Sequence, residues 1–104
     1  ETACPQQWRA ALDEVMRSPF TTAIPGHGER MTRNQFNTYR VAFGAFVDCV
    51  HSDASVHECG DVWGAGIASL LNDPARQERV SRNVEYYVTY LRNTGGKSRD
   101  CLTN

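Results

Sequence analysis

Histidines and carboxylates are the first residues to test for chemistry. His51, Asp53, His57 and Glu58 fall within eight positions, and together could offer two ring nitrogens and a carboxylate to a metal ion or to acid–base work. The spacing matches no established zinc pattern, and the competing reading is a polar turn with a helix cap. His27 stands apart in Pro25-Gly26-His27-Gly28-Glu29, where it reads as a solvated loop histidine. No serine, threonine or cysteine has the setting of an activated nucleophile. Gly60, Gly64 and Gly66 do not make a phosphate loop, because no lysine follows them and no strand precedes them. A small hydrolase or metal-binding protein using His51, Asp53 and His57 therefore stays as an alternative. The expectation is no catalytic residue, no cofactor and no metal.

The cysteines carry a clearer message. Four of them, at 4, 49, 59 and 101, form no Cys-x-x-Cys pair, and an even count without metal spacing reads as two disulfides in an oxidising compartment. The chain opens Glu1-Thr2-Ala3-Cys4 without methionine, and with the cysteines this gives the expectation of a secreted, extracellular protein. Loop-closure entropy gives about 2.8 and 4.7 kcal/mol for Cys49–Cys59 with Cys4–Cys101, against about 4.0 for each loop of Cys4–Cys49 with Cys59–Cys101. The sums are close, and the lean is to Cys4–Cys101 and Cys49–Cys59.

A binding surface is the third kind of chemistry. Arg79, Asn83, Tyr86 and Tyr90 are spaced i, i+4, i+7, i+11, so on a helix they share a ridge. That ridge points roughly 120° to 150° away from an apolar stripe of Val80, Val84, Tyr87, Val88 and Leu91. Exposed tyrosine beside arginine is the composition of binding hot spots. The competing reading has Tyr86 and Tyr90 packed under the 19–31 segment or the C-terminal tail.

These residues need elements to position them. The 104 residues fit one domain, 1–104, with a net charge of −1, which leaves no field to draw nucleic acid or an anionic membrane. No apolar run reaches the roughly 18 residues of a membrane span. Trp8, Ala11, Leu12, Val15 and Met16 recur at helical spacing up to Ser18-Pro19, predicting a helix over 6–18. Residues 19–31 hold two prolines and two glycines and form the longest connection, a length often functional or mobile.

Thr32 and Gln35 form a capping-box pattern ahead of Phe36, Tyr39, Phe43, Phe46, Val47 and Val50, a helix over 33–50. Asn37, Arg40 and Asp48 are placed toward water on it. Ser52 or Asp53 could cap a third helix over 54–71. Its glycines either delay its start or admit a close backbone, for which Gly44 and Ala45 are suited. Asp73-Pro74 opens a fourth helix over 74–93, stopped by Gly95-Gly96. Short connections make neighbours antiparallel, so the expected fold is all-α, a small disulfide-braced four-helix up-down-up-down bundle with all four cysteines at one end. In it, His27 lies about 27 Å from His51 and His57.

The reading is a secreted, non-enzymatic interaction protein, a signal, toxin or inhibitor-like ligand, that binds an extracellular protein partner through the 74–93 helix. The other alternative is a carrier of a small apolar ligand in the bundle core, lined by Trp8, Phe36, Phe43, Phe46 and Trp63.

Overall fold

A computed structural model describes residues 4–20, 22–23 and 31–95. The order is α1 (Pro5–Met16), β1 (Thr22–Ala23), β2 (Met31–Thr32), α2 (Arg33–Val50), α3 (Val56–Gly66), α4 (Ala68–Leu71) and α5 (Pro74–Asn93). The chain is mostly helical and compact, with a radius of gyration of 13.8 Å. No helix among the described residues is long and apolar enough to cross a membrane.

Local signals explain where the elements begin. Thr32 Oγ1 accepts from the Gln35 N–H while Gln35 Oε1 accepts from the Thr32 N–H, so the expected capping box starts α2. A second box, Ser55 with Glu58, starts α3, two residues later than the expected 54 and without Ser52 or Asp53 as its cap. Asp73 Oδ1 accepts from the Ala75 N–H, with Pro74 in the first turn of α5. Gly95, at φ +71°, ends the described chain in the left-handed region that suits glycine.

Two expectations are corrected. The helix over 54–71 is interrupted at Ile67, whose φ of −106° and ψ of 11° leave the helical range, dividing it into α3 and α4. Gly64 and Gly66 lower helix propensity just before that point, so the apolar spacing runs on while the backbone does not. The 19–31 connection is not irregular throughout: Thr22 and Ala23 pair antiparallel with Thr32 and Met31. His27 lies outside the described residues, as does Cys101.

The core lies where α2, α3 and α5 meet. Phe46, Val50, Cys59, Val88 and Leu91 form one buried cluster, and α1 packs on α2 through buried Leu12. The Cys49–Cys59 disulfide closes the α2–α3 turn across a Cα–Cα distance of 5.6 Å. Cys4 is also disulfide-bonded. The expectation that Cys101 is its partner falls outside the described residues.

Glycine sets the closest crossing. A Cβ on Gly60 would stand 2.3 Å from the Ser81 carbonyl oxygen, and one on Gly64 would stand 1.8 Å from Ser81 Oγ. The close approach anticipated from the glycines is thus made by α5 at Ser81, not by Gly44 and Ala45. Gly44 instead faces the Arg9 guanidinium, and Gly66 meets Ala42 of α2.

Arg92 locks the other end of this crossing. Its guanidinium donates to the carbonyls of Val50 (2.9 Å), Cys49 (3.0 Å) and Ser52 (3.2 Å), at the end of α2 and in the turn after it, where helix carbonyls lack intrahelical partners. Arg92→Ala is expected to cost about 1.5 kcal/mol by removing these charge-assisted hydrogen bonds, and Arg92→Lys should recover part of it in urea unfolding.

Ion pairs attach α1. Arg9 holds Asp48 at 2.8 Å and Arg40 holds Asp13 at 2.7 Å, so Arg40 does not simply face water. Trp8 Nε1 donates to Tyr39 Oη. The Arg9 hydrogen bond holds the Asp48 carboxyl below its usual range, against a smaller opposing effect of burial. A depressed carboxyl stabilises the fold above its unfolded pKa and loses that contribution as pH falls through the folded one. Asp48 is mostly exposed, so the effect is well under 1 kcal/mol. As pH falls below about 4, the ordinary aspartate range, Asp48→Asn should flatten the acid loss of stability slightly.

Candidate functional site

The ridge foreseen on the fourth helix lies on α5, whose two faces differ sharply. Ser81, Val88 and Leu91 are buried, Val88 completely. Arg79, Asn83 and Tyr86 are exposed, and Tyr86 is 79% exposed, the most open large apolar side chain described. The buried centre falls nearer Ser81 than the expected Val80–Leu91 stripe because Gly60 and Gly64 leave room only for a small residue there. At about 100° per residue, that rotation turns the Arg79–Asn83–Tyr86 surface further from the core.

Tyr90 behaves differently from its three ridge companions. It is half-buried, packs against the core cluster and stacks on Tyr87 at 6.4 Å between ring centroids. Tyr87 stacks in turn on Phe46, and burial raises its hydroxyl pKa above the ordinary range, with a smaller contribution from Tyr90. Tyr90 thus forms the border between core and surface.

The histidine cluster is dispersed. Glu58 is committed to the Ser55 cap, whose backbone and hydroxyl hydrogen bonds hold its pKa below the usual value. His51 and Asp53 are exposed at the α2–α3 turn. His57 joins a different group that sequence spacing did not bring together: its Nε2 lies 3.5 Å from Asp61 and its Nδ1 3.3 Å from Glu85. Arg82 donates to both carboxylates and contacts the ring. Arg82 Nε is buried without a directed hydrogen bond, although a Glu78 oxygen lies 3.3 Å away, so that contact is electrostatic. Both ring nitrogens of His57 face protein carboxylates, which makes the group a clamp between α3 and α5. No group of three metal-ligating side chains forms a metal site among the described residues.

The aromatic stripes face one another. Phe36, Tyr39, Phe43, Phe46 and Trp63 form successive ring contacts of 5.9–6.5 Å, and Trp8 reaches them through Tyr39. A groove of about 350 Å³ lies instead along α2 and α3, lined by residues including Val41, Ala45 and Val62. Val41 is 57% exposed.

Four described residues thus form the candidate surface: Arg79, Asn83 and Tyr86, with Tyr90 at its edge. No protein-family model, curated protein or solved structure matches this chain.

Proposed function

We propose that this is a secreted, non-enzymatic interaction protein that binds an extracellular protein partner through the outer face of α5. A signal, a toxin and an inhibitor-like ligand all fit that description. The observation that carries the reading is Tyr86, 79% exposed on a helix whose opposite side is fully packed. A large aromatic ring kept in water gains free energy when a partner covers it. The Cys49–Cys59 disulfide supports an oxidising compartment. The up-down-up-down four-helix arrangement belongs to the same proposal, supported by the short turns before α3 and α5.

The carrier reading has less support, because the aromatic residues that would line a cavity are in contact with one another. The hydrolase reading is weakened by the engagement of His57 and Glu58 within the protein.

The test replaces Tyr86 with a photo-crosslinking benzophenone amino acid, and separately Val41 in the α2–α3 groove. In the extracellular material where the protein occurs, position 86 should give a discrete protein adduct that excess wild-type chain suppresses. Position 41 should give none. An adduct at 41 with none at 86 would move the proposal off α5.

A further inference from the structure

We propose that the partner presents an acidic segment to α5, with its carboxylates paired to Arg76 and Arg79 and an apolar side chain laid on Tyr86. This rests on the reading of α5 as the binding face and adds the chemistry of what binds there.

The arginines carry the inference. Arg9, Arg17 and Arg40 are paired with carboxylates, Arg33 donates to the carbonyls of Met16 and Ser18, and Arg82 and Arg92 hold the crossings of α5. Arg76 and Arg79 are exposed, and among the described residues they make no hydrogen bond or ion pair. The two guanidiniums that the fold leaves unused among the described residues are therefore one turn apart, on the same side of α5 as Tyr86.

Arg76 is also costly where it stands. It lies in the first turn of α5, where the helix dipole disfavours a cation, and it makes no ion pair with the capping Asp73, whose carboxylate accepts from the Ala75 N–H. A residue that breaks a local rule without an internal gain is where a functional requirement is expected.

Geometry narrows the partner. Arg76 and Arg79 are separated by about 4.5 Å of helix rise, and Tyr86 lies about 10 Å beyond Arg79 along the axis. Two acidic residues one helical turn apart, followed two or three turns later by an aromatic or aliphatic residue, match that pattern. Guanidinium takes carboxylate in paired hydrogen bonds. Nucleic acid fits less well, because Glu78 lies between Arg76 and Arg79 and the chain carries net negative charge.

The experiment titrates the isotopically labelled full chain, followed by amide and arginine side-chain resonances. The probe is a helical peptide bearing two glutamates one turn apart and a phenylalanine two turns on. A lysine counterpart, a DNA duplex and phosphatidylserine vesicles serve as the other arms. The acidic peptide should perturb residues 76–90, and Arg76→Glu with Arg79→Glu should weaken it about tenfold. The same pair should leave the melting temperature unchanged or raise it by about 2–4 °C, since glutamate suits the first turn. Binding lost while stability is kept or gained is a result that a structural role would not give.

An equal response to the lysine peptide, or undiminished affinity after the double reversal, overturns the acidic partner. If Tyr86→Ala still weakens the peptide in that case, the α5 surface stands and only its charge chemistry falls. If neither substitution matters, both fall. A stronger response to the duplex or the vesicles overturns the protein class of partner.

Discussion

Gly60→Ala is expected to destabilise the fold by about 2 to 3 kcal/mol and to lower the melting temperature by on the order of 10–15 °C. Helix propensity alone argues the other way, since alanine gains roughly 1 kcal/mol over glycine inside a helix. The steric contribution wins because the new methyl would stand 2.3 Å from the Ser81 carbonyl oxygen. That oxygen belongs to the α5 backbone, which has no rotamer to escape into. Relief requires α3 and α5 to separate, and their shared core of Cys59, Val88 and Leu91 would loosen with them. Gly64→Ala should cost less: its closest neighbour is Ser81 Oγ, the end of a side chain that can rotate. Ser81→Ala should therefore rescue Gly64→Ala in part and Gly60→Ala hardly at all. A Gly60→Ala protein that melts at or above the wild-type temperature would show that the two helices do not meet as described.

The second large effect concerns the disulfide. Removing it with Cys49→Ala and Cys59→Ala is expected to cost about 2.8 kcal/mol, from the entropy returned to the unfolded chain when the short loop is released. Cys59 is fully buried in the central cluster, so the substitution at that end also removes packing. Arg92 holds the same turn through three carbonyls, so losing both restraints should cost more than the sum of the parts. The measurement is denaturant unfolding of the double variant, alone and with Arg92→Ala. A loss under 1 kcal/mol for the disulfide would mean that Arg92 already fixes the turn by itself.

What was legible in the sequence follows the kind of signal. Caps could be read because they are short-range: Thr32 with Gln35, and Asp73 before Pro74, act within one turn of themselves. The Cys49–Cys59 half of the expected pairing is present, while its Cys4–Cys101 half lies outside the described residues, and the Thr32 cap with the apolar spacing of 36–50 locates α2. The break at Ile67 was not legible, because apolar periodicity continues past it through Leu70 and Leu71. Ser81 was missed at the centre of the α3–α5 contact for a related reason. Apolar counting looks for large side chains, and this contact is made by their absence at Gly60 and Gly64.

The surface divides in the same way. Spacing placed Arg79, Asn83 and Tyr86 together on the outer side, and all three are exposed. It also placed Tyr90 there, and ring stacking on Tyr87 draws that residue partly inward. The His57–Asp61–Arg82–Glu85 group joins two helices, with sequence separations of 21 and 25 between Arg82 and its α3 partners, beyond any local pattern. The histidine cluster that local pattern did suggest is dispersed by the Ser55–Glu58 cap.

The central claim is that α5 has one face for the fold and another for a partner. Tyr86→Ala tests it most directly, with thermal unfolding and affinity for the protein crosslinked from position 86 measured on the same preparation. The melting temperature should stay within about 2 °C of wild type, because the ring is exposed. Affinity should fall about 30-fold, the scale of a hot-spot tyrosine. Unchanged affinity, or a fall in stability large enough to account for the lost binding, would contradict the claim.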